Sequence, residues 1–171
     1  MMHQEDAKTP IDHNLPILCS PQVFSRRELE EHLNSAVEIL LRLPRHVREL
    51  DDSFVFEFTG DEQLFERVAR FAQNEHRCCS WAAFAIEMEP FAAGTQGAIR
   101  LRYITGLAGK SVVAEGLQQL RELKLDSKAQ SRLADILAET KTIVPSTPGQ
   151  FEQDARTLRG IVERVKSLCG C

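Results

Sequence analysis

Cysteine thiols are the chemistry-bearing groups that stand out in this chain. Cys78 and Cys79 are adjacent and follow Glu75, His76 and Arg77, Cys169 and Cys171 flank Gly170, and Cys19 lies in Leu18-Cys19-Ser20-Pro21. Thiolates are soft ligands and good nucleophiles, so the set points to ligation of a soft metal or metalloid, or to thiol–disulfide exchange. His76 or Arg77 can favour a thiolate by its positive charge, whereas the C-terminal end of a helix disfavours it. A buried cysteine can also be no more than a small core hydrophobe. Adjacency at the boundary of an element favours the chemical role for Cys78 and Cys79.

In the metal reading, Cys78, Cys79 and Cys19 are the core ligands, and Cys169 with Cys171 is a pair that captures an ion and passes it inward. Mercury, arsenite, copper and zinc are the ions that such sulfur ligands select, and no resident cofactor beyond such an ion is expected. In the redox reading the partner is a low-molecular-weight thiol or a disulfide; Cys78 attacks, and Cys79 or the tail resolves. Glu75 is the candidate catalytic acid if a thiolate holds mercury while its organic group is protonated. A preformed zinc finger is not expected, because no C-x2-C pair occurs and His32 and His46 have no cysteine pair at matching distance. Nor does the chain contain G-x-S-x-G, a P-loop or G-x-G-x-x-G.

These residues need a scaffold. Ser25-Arg26-Arg27-Glu28 has the form of a capping box, and Leu29, Leu33, Val37, Leu40 and Leu41 then recur at helical spacing as far as Pro44. Phe54, Phe56 and Phe58 alternate with Val55 and Glu57, the period of a half-buried strand. Leu64, Phe65, Val68, Ala69, Phe71 and Ala72 predict a second helix that ends at the cysteine pair. Residues 82–89 and 99–103 predict an antiparallel hairpin, with Glu87 and Glu89 facing Arg100 and Arg102 across the strands. Val112, Val113, Leu117 and Leu120 predict a third helix. The order is helix, strand, helix, strand, strand, helix: an α+β fold with a short, mostly antiparallel sheet covered by helices. His32 and His46 fall at polar positions on or after the first helix, where a solvent-facing role is expected.

Outside this core, residues 1–14 read as a tail that carries His3 and His13. Residues 124–171 read as a C-terminal helical hairpin broken at residues 145–149, which could mediate a homodimer in a plain interaction module. The α+β cysteine-pair domain is then residues 15–123. The chain's 171 residues and 43% hydrophobic content suit one such domain with an extension. A net charge of −4 with interspersed signs argues against nucleic-acid binding. The absence of a long apolar run argues against a membrane span. A polar start without secretory features, together with five cysteines, predicts reduced thiols and a cytoplasmic location.

The segment Asn74-Glu75-His76-Arg77-Cys78-Cys79-Ser80-Trp81-Ala82-Ala83-Phe84 resembles a widespread bacterial family of small, poorly characterised proteins with the pattern Glu-Arg-x-Cys-Cys-Pro-Phe-x-x-Phe. In that family a strand and a helix precede the motif, and a hairpin ending in Leu-x-x-Thr-Gly follows it. Ile104-Thr105-Gly106 looks like that element, and Cys19 matches a cysteine that relatives tend to carry near their start. The resemblance spans residues 15–121 and implies an association with heavy-metal resistance regulators. Ser80 stands in place of the usual proline and Trp81 in place of the usual phenylalanine, and the terminal Cys-Gly-Cys is no part of the pattern. The leading expectation is a cytosolic thiol protein that binds a soft metal or metalloid for resistance or trafficking.

Overall fold

The computed structural model describes residues 20–89, 92, 94–122, 131 and 135; the side chains of residues 119 and 122 are not included. A short 3-10 turn, Pro21–Val23, leads into helix α1, Arg26–Val37. The expected capping box is formed: Ser25 Oγ accepts from Glu28 N–H, and the Glu28 carboxylate accepts from Ser25 N–H at 2.8 Å. Two donors at the helix start that would otherwise lack partners are satisfied in this way. The helix then widens into a π turn over Glu38–Arg42, where Leu43 N–H reaches Glu38 O at 2.9 Å.

Strand β1, His46–Glu49, pairs with β2, Ser53–Gly60, and helix α2, Glu62–Cys78, follows behind an Asp61 cap. Strands β3, Ala83–Met88, and β4, Gly97–Ile104, form the expected hairpin, and helix α3, Gly106–Glu122, follows. The sheet is antiparallel in the order β1-β2-β4-β3. β1 corrects the sequence-based order: it adds a strand between the first helix and the phenylalanine-rich strand. All four of its residues are exposed at the sheet edge, so no buried face imposes an apolar alternation on them. His46 accordingly belongs to this edge strand.

Register sorts the two faces of the sheet. Phe54, Phe56 and Phe58 oppose Tyr103, Leu101 and Ile99 on β4, and all six are buried with Val68, Phe71, Val113 and Leu117 from the helices. The other face carries charge. Arg48 pairs with Glu57 at 2.8 Å, and Arg100 pairs with Glu89 and lies 3.9 Å from Glu87. The expected cross-strand pairing therefore holds for Arg100. Arg102 instead turns to Asp52, at 3.3 Å, and to Ser53, because its register partner on β3 is Ala85.

The proposed tail and most of the proposed helical hairpin lie outside the described residues, as do Cys19, Cys169 and Cys171. Of residues 124–171, Ser131 and Asp135 are described, and both hold Arg26 of α1: Asp135 Oδ1 accepts from Nε at 2.7 Å and Ser131 Oγ from Nη2 at 2.9 Å. No helix among the described residues is long and apolar enough to cross a membrane.

Candidate functional site

Helix α2 ends at Cys78, and Cys79 is its cap residue, with Cys79 N–H donating to Glu75 O at 2.7 Å. Glu75 and Cys79, four residues apart, lie on one side of the helix end. Neither cysteine is in a disulfide; Cys79 is 4% exposed and Cys78 is half-buried. The Cys79 thiol hydrogen-bonds to the Glu75 carboxylate. Beside Cys78, the chain from the N-terminal side is pinned in place, since Ser20 N–H donates to Cys78 O at 3.0 Å.

Glu75 is the hub of the site. Its side chain is 17% exposed, His32 Nε2 donates to Oε2 at 2.7 Å, and Tyr103 Oη donates to Oε1 at 2.8 Å. Burial pushes the carboxyl's pKa up, but hydrogen bonds from His32, Tyr103 and Cys79, with the field of the His32 ring, outweigh it and hold the group below the usual carboxylate range. Glu75 is therefore a carboxylate, and its first chemical role is to accept a proton. It becomes an acid only after collecting one, and Cys79 is the donor within reach.

His32 corrects the expectation of a solvent-facing histidine: it is 5% exposed, inside the molecule. Its ring stacks on Phe71 at 5.6 Å between centroids and lies 5.0 Å from Phe24. The position was readable, because residue 32 follows Leu29 by three and precedes Ala36 by four on the buried stripe of α1. Tyr103 was legible only as a strand residue. Its partner Glu75 is 28 positions away, and a hydrogen bond over that separation leaves no local trace in sequence.

The two basic residues next to the thiols in sequence bond to backbone carbonyls. His76 Nδ1 donates to Ala82 O at 3.0 Å, and Arg77 donates to Val23 O at 3.1 Å while its guanidinium sits 4.8 Å from the centre of the Phe24 ring. Glu75 meets the Cys79 thiol.

Both cysteines border a cavity of about 210 Å³, walled mainly by Leu29, Leu33 and Leu40 from the first helical segment and by Val113, Leu117 and Leu120 from α3. His32, Glu75, Trp81, Tyr103 and Gly116 also line it. Two buried polar atoms of these lining residues, His32 Nδ1 and Trp81 Nε1, have no hydrogen-bond partner among the described residues. An unsatisfied buried group of this kind costs about 1–3 kcal/mol. On the outer side of His32 lies a second, polar cleft of about 370 Å³, bordered by Arg67, Arg70, Arg77, Glu28 and Glu31.

Among the described residues, no group of three or more His, Cys, Asp and Glu side chains is arranged to hold a metal ion. What the cavity offers is two thiols, a proton acceptor and an apolar wall. The chain matches no protein-family model, no curated protein and no solved structure.

Proposed function

We propose that this chain is a thiol protein that takes up a soft metal or metalloid ion, with Cys78 and Cys79 as its primary ligands. The observation that carries the reading is that Cys78 and Cys79 line one cavity together with Glu75, whose carboxylate accepts from the Cys79 thiol. Ligation replaces each S–H bond with a bond from sulfur to the ion and sets a proton free. Glu75 accepts the Cys79 proton, while His32 and Tyr103 keep the carboxylate in position. Mercury(II) and copper(I) bond well to two sulfurs alone, and thiolates favour them on grounds of softness. Zinc sites usually want four ligands, more than this pair provides.

Cys19 is the proposed third thiol, supported by the hydrogen bond from neighbouring Ser20 to Cys78 O. Cys169 and Cys171 are the proposed capture and delivery pair. A reducing compartment such as the cytoplasm suits a protein that works with thiols rather than disulfides.

The test is anaerobic titration of the reduced full chain with Hg(II), Cu(I), arsenite and Zn(II) against a competing small dithiol. It is run on the wild type, Cys78→Ser/Cys79→Ser and Cys169→Ser/Cys171→Ser. Tight binding that disappears in the first variant, with slower loading in the second, is expected. Binding no tighter than that of the small dithiol would overturn the reading; reversible disulfide formation without metal would then favour thiol–disulfide exchange.

A further inference from the structure

A bare ion uses only the sulfur end of the cavity and makes no use of its leucine- and valine-lined wall. An engineered cavity of about 150 Å³ stays dry and takes up benzene, so the roughly 210 Å³ here has room for a ring-sized apolar group. The described lining presents two thiols and no third metal-ligating group arranged with them. These features together suit a ligand that needs two sulfurs, arrives with its third bond already made to carbon, and carries an apolar substituent.

We infer that the cavity takes a trivalent arsenical bearing one aryl or alkyl group, bound through Cys78 and Cys79 with its organic group against α3. This deepens the soft-ion reading and rests on it. The ligand enters as R–As(OH)2. In each of two exchanges an As–O bond and an S–H bond break while an As–S bond and an O–H bond form. The products are R–As(S-Cys)2 and two waters, and no atom changes oxidation state. Each thiol proton leaves with a departing hydroxide as water.

Gly116 provides a handle on the cavity that leaves the thiols alone. It lines the wall from α3, and a Cβ built there meets nothing within 4 Å. Gly116→Leu therefore extends a side chain into open space, and a helix interior prefers leucine to glycine. Trp81, the only tryptophan, reports occupancy by its fluorescence.

The experiment titrates the reduced full chain carrying Cys169→Ser/Cys171→Ser with phenylarsine oxide, arsenite and Hg(II) against a competing dithiol, following Trp81 emission and accessible thiols. Phenylarsine oxide is expected to consume two thiols, alter Trp81 emission and bind at least about tenfold more tightly than arsenite. Cys78→Ser or Cys79→Ser abolishes this binding. Gly116→Leu weakens phenylarsine oxide about tenfold or more while Hg(II) binding stays as it was. Gly116→Ala gives a smaller loss in the same direction and serves if the leucine variant does not fold. Phenylarsine oxide binding that equals arsenite, or that both Gly116 variants leave intact, would overturn the inference while Hg(II) binding upholds the soft-ion reading. Loss of tight Hg(II) binding as well would remove both.

Discussion

Three donors converge on one carboxylate at Glu75, and each can be removed singly. Tyr103→Phe deletes only the hydroxyl that bonds Oε1, and a hydrogen bond to a charged group contributes about 1.5–3 kcal/mol. Chemical denaturation at neutral pH is expected to show a loss of that order. Glu75→Gln keeps the shape and removes the charge. Because the folded protein holds Glu75 below its ordinary value of 4.5, ionisation contributes stability that is complete above that value and disappears as pH falls through the folded pKa. The stability difference between wild type and Glu75→Gln should therefore shrink on acidification below the ordinary carboxylate range; a pH-independent difference would contradict the network. The cysteine pair was legible because two adjacent thiols have few structural explanations. His32 is buried because its place on the apolar stripe of α1 outweighs its polarity.

At the scale of elements, the core strands announced themselves through alternation, since Phe54, Phe56 and Phe58 must share one buried face. β1 did not, because its exposed residues carry no such constraint. The close packing of α3 on the cysteine turn was also invisible in sequence. A Cβ on Gly109 would overlap the Trp81 ring, so glycine is what lets α3 approach that residue. Gly109→Ala is expected to destabilise the fold by about 1–3 kcal/mol through overpacking, although alanine is the better helix former. Gly116→Ala, on the same helix but facing open space, should be stabilising by about 0.5–1 kcal/mol. Thermal or denaturant unfolding of the two variants side by side checks the opposite signs. Ser25→Ala should cost about 1 kcal/mol by removing the side-chain half of the capping box.

Over the whole molecule, a sheet with one charged face and one apolar face leaves its helices to build the site. α1 contributes His32, α2 contributes Glu75 and the thiols, β4 contributes Tyr103, and α3 closes the cavity. The α+β class followed from alternation and helical spacing, whereas the convergence of four elements on one cavity depends on tertiary packing that periodicity does not encode. The central claim is that Cys78 and Cys79 are the thiols that hold the ion. Site-resolved alkylation of the reduced full chain, read by mass spectrometry with and without equimolar Hg(II), tests it most directly. Protection of Cys78 and Cys79 ahead of the other cysteines is the result expected here. Unchanged alkylation of both, with protection confined to Cys169 and Cys171, would contradict it.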